Sequence, residues 1–319
     1  MPSKCVLDRE ADPEKFREFL PEFQRVLQEI RPDVVHAGPV QSCAYIAALS
    51  GFHPLLVMPW GSDILFYANQ NAEWKQAAEV ALQGTDGLFC DCEAVWQAAQ
   101  QFAEIPSSHV IKFPWGIKKG SFIPEGKKLT LEPGTINLIC TRSWESLYDI
   151  DVLLEAFRLA FHKNDHLRLL LLGEGSRANA IHSFIERHRL GDVVRTPGSI
   201  PHEELPVWFR SADGYISCAK TDGTSVSLLE AMATGLPVVV TDIPSNREWI
   251  TEDENGWLAP VGAASEFAEK IMRLAALDQP RRNSISKQNQ RIVAERADWN
   301  QNIPRLLDFY EYLSGSRVK

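Results

Sequence analysis

Twice along this 319-residue chain, short apolar runs alternate with segments whose apolar residues recur at helical spacing, and few folds accept that rhythm. The run Leu167–Leu172 is apolar almost throughout. A strand of that kind is buried on both faces, and it needs helices above and below it. In the first half, Phe16–Ile30 reads as one helix, with Phe19, Phe23, Val26, Leu27 and Ile30 on one side. Strands over 34–37, 55–58, 87–91 and 110–113 then alternate with helices over 40–49, 74–82 and 94–102. The segment IPEGKKLTLEPG, residues 123–134, is rich in Pro, Gly and Lys and reads as an exposed linker. Beyond it, strands over 136–140, 167–172, 193–196, 214–218 and 237–241 alternate with helices over 150–161, 177–189, 203–210 and 225–234. A last helix over 304–313 follows several polar helical residues. The expected architecture is α/β, with two Rossmann-like, doubly wound parallel-sheet domains. Their expected bounds are residues 1–122 and 136–297, joined by a linker over 123–135, with a C-terminal helix over 298–319 returning toward the first domain.

Composition narrows the class. Length suits about two domains of roughly 150 residues, and 45% hydrophobic with 24% charged residues is an ordinary globular balance. A net charge of −9 argues against a dedicated nucleic-acid binder, which would carry a basic face. No apolar run approaches the roughly 18 residues of a spanning helix, and Met1–Asp12 has no signal-peptide core. The six cysteines (5, 43, 90, 92, 140 and 218) lack metal-ligand spacing and read as buried free thiols. Cys90 and Cys92 are expected on one face of a strand. A cytoplasmic protein is expected, with peripheral contact at the inner face of the membrane left open.

The stretch Thr221–Thr241, TDGTSVSLLEAMATGLPVVVT, carries the most chemistry. It reads as a strand end, a tight turn at Gly223, a helix capped by Thr224 or Ser225, a turn at Gly235 and a buried strand. The first N–H groups of a helix have no internal partner and sit at the positive end of its dipole, so they seat phosphate. Asp222 stands before that seat. Glu230 lies about one and a half turns into the helix, where a carboxylate can accept two ribose hydroxyls.

The pattern Asp-Gly-x5-Leu-Glu-Ala-Met-Ala-x-Gly-x-Pro-Val-Val-x-Thr resembles the donor-binding motif of family 4 retaining glycosyltransferases of the GT-B fold. EWITEDENGWLAP (248–260), FPWGIKKGSF (113–122) and LLGEG (171–175) resemble further segments of that family. The resemblance implies that Glu230 binds the donor ribose, Asp222 contacts the transferred sugar, and Arg142 holds the diphosphate. It implies backbone amides from Gly223, Thr224 and Ser225, and a base-seating loop over Pro197, Gly198, Ser199 and Ile200, with Gly173 nearby. The family's usual lysine after the arginine is replaced by Tyr148, so phosphate charge would rest on Arg142, amides and Lys220. Trp60 stands before Gly61-Ser62-Asp63 where a histidine is usual. Acceptor-side or cleft candidates are His36, Trp60, Asp63, Trp115 and Gly116. The donor would lie in a cleft between the domains, mostly on the second.

The expected reaction is metal-independent transfer from a nucleotide sugar, UDP-linked in preference to GDP-linked, to a glycan, lipid-linked or small-molecule acceptor with retention of configuration. No cofactor is required. Other readings fare less well. GEGSRA, 173–178, formally fits a dinucleotide fingerprint, but the following strand ends near Arg195-Thr196 without the acid that motif needs. Lys118, Lys119, Lys127 and Lys128 read as a solvated linker rather than an anion site. A GT-B epimerase or phosphorylase is disfavoured by the 222–230 motif. A binding subunit of low activity stays open: no Gly-rich strand–loop–helix precedes DVVHAG, so the first domain is expected to lack its opening units. A partner or a second copy of the chain would then cover its sheet edge.

Overall fold

A computed structural model describes residues 13–315. These divide into two compact units, the first running to Pro114 and taking in the segment from Ile303, the second spanning Trp115–Asn302.

In the first unit, β1 (Val35–Ala37), β2 (Leu55–Val57), β3 (Gly87–Cys90) and β4 (Val110–Lys112) form a parallel sheet in the order β1-β2-β3-β4. Leu55, Val57 and Leu88 are fully buried, and Ala78, Ala81 and Leu82 of the helix Ala72–Gln83 pack on them. The expected helix over 16–30 is broken into Pro13–Arg17 and Leu20–Ile30. Pro21 has no N–H to donate and fits only the first turn of a helix, so it starts a new one. The segment 40–49 opens as a π-helical turn, Val40–Ala44, before Tyr45–Leu49 becomes α-helical. There the Ala44 N–H reaches the Pro39 carbonyl at 3.1 Å. Cys90 closes β3, whereas Cys92 is the residue before the helix Glu93–Ala99. The two therefore do not share a strand face. Cys5 lies outside the described residues.

The second unit holds β5 (Ile136–Cys140), β6 (Leu167–Leu171), β7 (Val194–Arg195), β8 (Gly214–Ser217), β9 (Val238–Thr241) and β10 (Gly256–Ala259), all parallel, in the order β10-β9-β8-β5-β6-β7. Alternate residues of one strand serve two cores: Leu138 faces Phe157, Phe267 and Ile271, while Ile139 faces Leu228, Leu229 and Phe209. That is why these strands are apolar throughout rather than alternating. The order runs outward one way from β5 to β7 and the other way from β8 to β10. The sheet therefore reverses between β5 and β8, and in open α/β sheets ligands bind beyond the strand ends at that reversal.

The strand β10 and the helices Ala264–Ala275 and Gln279–Arg296 complete the unit. The final helix begins at Trp299 rather than Pro304. Asp298 Oδ1 accepts the Asn300 N–H at 2.9 Å and starts it early. From Ile303 on, this helix packs in the first unit, where Tyr310 meets His36.

Candidate functional site at the sheet reversal

Arg142 stands two residues past β5, and Thr221–Ser225 lies between β8 and the helix Val226–Ala233. Because β5 and β8 are neighbours, their loops meet. Arg142 Nη2 is 2.7 Å from Asp222 Oδ2. Its Nη1 donates to Ser225 Oγ at 2.8 Å and to Ser227 Oγ at 3.2 Å. The guanidinium also lies over the Tyr148 ring, 4.0 Å from its centroid. Burial, the largest single influence, works against the arginine charge, but Asp222 with Tyr148, Tyr215 and Cys140 together outweigh it and hold the group above the ordinary arginine value. The tyrosine that replaces the expected lysine thus supports the arginine instead of adding a second cation.

Ser225 caps the following helix, its Oγ accepting the Leu228 N–H at 3.3 Å. The same oxygen takes a hydrogen bond from Arg142, so the cation is pinned to the start of a helix. The guanidinium and the helix N-terminus therefore stand side by side, with the Asp222 carboxylate paired to the former. Lys220 stands beside this centre. Its backbone N–H donates to Leu147 O at 2.9 Å, and its Nζ is 3.6 Å from Asp149 Oδ1.

Three loops at this end of the sheet are stitched by backbone hydrogen bonds. Gly173 N donates to Gly198 O, Trp144 N to Glu174 O and Arg177 N to Trp144 O, each at 2.9 Å. Gly173 takes φ +110°, and a Cβ there would stand 2.8 Å from Arg142 O. Only glycine lets the two loops approach this closely. Beyond them opens a cavity of about 470 Å³ bordered by Trp144, Glu174, Gly175, Thr196, Pro197 and Gly198. Ser199 is exposed on the same loop, and Ile200 leans on the core beneath.

Glu230 is buried on the helix Val226–Ala233, its side chain 4% exposed. His202 Nε2 lies 2.7 Å from its Oε1. Burial pushes this carboxyl above its ordinary value, against the pull of His202 and Arg142. Nothing in the sequence coupled these two residues, which lie 28 positions apart. Ser227 and Tyr215 were likewise missed; Tyr215 Oη is 3.1 Å from Ser227 Oγ beneath the arginine.

The remaining candidates have partners within their own unit. His36 Nδ1 is 2.6 Å from Tyr310 Oη, and its ring meets Phe89 edge-on. Burial pushes its pKa down to about 4, which keeps it neutral. Asp63 accepts the N–H groups of Val40, Trp60 and Ile64 at 2.9 Å each. It organises a turn, and burial raises its carboxyl despite those donors. Trp60, held by that turn, stays 45% exposed. Gly116 and Trp115 splice onto residues 297–299. A Cβ at Gly116 would stand 2.5 Å from Ala297 O, Ile117 N donates to Ala297 O at 2.7 Å, and Trp115 stacks on Trp299 at 6.1 Å. No helix among the described residues is long and apolar enough to cross a membrane.

Comparison with known proteins identifies a family and a fold. Residues 126–292 match the family model described as glycosyl transferases group 1, and residues 5–92 match glycosyl transferase 4-like. A curated relative is the putative colanic acid biosynthesis glycosyltransferase WcaL of Escherichia coli K12, 26% identical over 222 residues. That alignment takes in 68% of this chain and 54% of WcaL. The chain thus spans about half the length of the curated relatives it matches. Among solved structures, sucrose-phosphate synthase from Thermosynechococcus elongatus superposes with TM-score 0.83 at 18% identity, covering 97% of this chain and 80% of that one. Anabaena HepE in complex with UDP-glucose gives 0.78 at 16% identity, covering 92% and 82%. The fold is GT-B.

Proposed function

This chain belongs to the glycosyl transferases of group 1, and from that membership we propose that it transfers a glycosyl group from a nucleotide sugar to an acceptor hydroxyl with retention of configuration. The observation that carries the reading is the Arg142 guanidinium pinned at 2.8 Å to the Ser225 cap of the helix Val226–Ala233. When a nucleoside diphosphate departs from a sugar, negative charge grows on its β-phosphate. Arg142 and the amides of residues 223–225 meet that charge where it develops, and such stabilisation lowers the barrier. This is why departure needs no metal in the proposed scheme. Attack comes from the face the phosphate leaves, and the leaving phosphate takes the acceptor's proton. No side chain is assigned as base.

Glu230 receives the ribose hydroxyls and Asp222 the transferred sugar. The base lies in the cavity beside Pro197 and Gly198. A UDP-sugar is the favoured donor, in keeping with the UDP-glucose bound by HepE. The acceptor class is a glycan or lipid-linked saccharide, and the glycan is in keeping with the colanic acid biosynthesis of WcaL. The test is release of UDP from a panel of UDP-sugars by the purified protein, with and without saccharide acceptors. No release from any of them, with UDP bound normally, removes the stand-alone enzyme.

One observation favours a second reading, a donor-binding subunit that works with a partner. The helix Leu20–Ile30 carries Phe23, Val26, Leu27 and Ile30 at helical spacing yet buries no residue fully, and Ile30 is 62% exposed. Activity that appears only on adding a second polypeptide decides for that reading.

A further inference from the structure

We propose that His202 is a positioning residue of the donor site, holding the Glu230 carboxylate in the orientation that receives a ribose. The inference rests on the reading of Glu230 as the ribose acceptor and adds the residue that makes it selective.

The imidazole is held from two sides. Its Nε2 lies 2.7 Å from Glu230 Oε1. Its ring tilts against Phe122, centroids 5.6 Å apart, and Phe122 is itself buried against Phe209. The backbone beneath it is fixed as well, since Leu205 N donates to His202 O at 3.2 Å and Glu204 N to Pro201 O at 2.9 Å. Exposure differs sharply across the pair: the histidine side chain is 70% exposed and the glutamate 4%. His202 is thus the solvent-side neighbour of a nearly buried carboxylate.

Glu230 Oε2 has no hydrogen-bond partner among the described residues. A buried carboxylate with one oxygen held and the other unpaired is an acceptor aimed in one direction. Ribose offers two vicinal hydroxyl donors, which a carboxylate so held can take together. Without the histidine, the glutamate rotamer would no longer be set by a partner, and part of the ribose interaction would be lost in ordering it. His202 also follows Ile200 by two residues. The loop beside the base cavity and the group that orients the ribose acceptor therefore belong to one short turn.

The experiment is calorimetric titration of UDP and of 2′-deoxy-UDP into four proteins: wild type, His202→Ala, His202→Gln and Glu230→Gln. The wild type is expected to prefer UDP by about tenfold, the order of one lost hydrogen bond to a charged acceptor. His202→Ala should bind UDP about five- to tenfold more weakly while binding 2′-deoxy-UDP nearly as before, so that the preference falls below about threefold. Gln can donate an N–H from a similar place, and His202→Gln should restore most of the preference. A purely structural role for His202 would weaken both ligands alike and would not be rescued in this way.

His202→Ala that keeps the full preference overturns the proposal. So does a variant that binds UDP more tightly, because the imidazole would then be a cover that ribose displaces. If wild type shows no preference and Glu230→Gln changes nothing, the ribose role of Glu230 falls, and the role of His202 falls with it. A preference lost in Glu230→Gln but kept in His202→Ala removes only His202.

Discussion

The second unit contains two buried polar clusters that do opposite things with their hydrogen bonds. Around Asn255 and Asn289, both fully buried, the amide groups are paired within the protein. Asn255 Nδ2 donates to Trp249 O at 3.0 Å and Asn289 Oδ1 at 2.9 Å, and its Oδ1 accepts Thr251 N at 2.8 Å. Asn289 Nδ2 donates to Leu236 O and Asn255 O at 2.8 and 3.1 Å. The cluster ties the 249–256 turn, the entry to β9 and the long helix Gln279–Arg296 together. Around Arg142 the pairing is incomplete: its buried Nε has no partner among the described residues, and Glu230 keeps one oxygen unpaired. A closed network rigidifies, whereas an open one of similar burial is what a ligand can complete. The Asn-Gly part of the family-like segment 248–260 thus serves architecture, and the 222–230 stretch holds the open polar groups of the proposed site.

That contrast can be broken by substitution. Arg142→Ala should lower transfer by about 100- to 1,000-fold, the range for removing one donor to a developing oxyanion, with the fold retained in circular dichroism. Asn289→Ala should do the reverse. It strands the Asn255 amide and Leu236 O in the core, at about 2–3 kcal/mol, which should lower the melting temperature by roughly 5–10 °C. UDP affinity of the folded fraction should stay as in wild type. Loss of UDP affinity at full stability would mean the two clusters are not separate.

Glu230→Gln should weaken UDP binding by about tenfold while leaving the melting temperature unchanged or higher. The sign follows from burial. The folded carboxyl titrates above its ordinary value, so the folded state holds the proton more readily than the unfolded one. Ionised Glu230 therefore lowers stability once the pH has risen through its folded pKa, and a neutral amide removes that cost. A lower melting temperature in Glu230→Gln at neutral pH contradicts this. The smallest effect is expected in the first unit. Trp60→Ala removes an exposed aromatic face and should reduce turnover about three- to tenfold with UDP affinity unchanged; weakened UDP affinity would move Trp60 to the donor.

Much of the second unit could be read from local pattern. β5 and the helix Ile150–Phe161 begin and end where the apolar spacing puts them. β10 escaped, because the four residues Gly256–Ala259 make a strand through pairing with β9 and carry little signal alone. The break at Pro21 was legible from the proline itself and was overridden by a good apolar stripe. His202 was not legible at all, since its partner is fixed by how a loop folds over a helix. Trp115, Gly116, His36 and Asp63 stand at motif positions that mark site candidates; the partners of the first three, residues 297–299 and Tyr310, lie at the far end of the chain, where no local pattern points.

From the sequence alone came the two strand–helix alternations, the capped helix after Gly223 and the placing of Glu230 on it. These depend on spacing within a dozen residues, where periodicity and capping rules act. The tertiary structure decided that β8 lies beside β5. Strand order depends on long-range pairing and on which faces each crossover covers. That order brings Arg142 within reach of Ser225, 83 positions away, and turns two loop ends into one site.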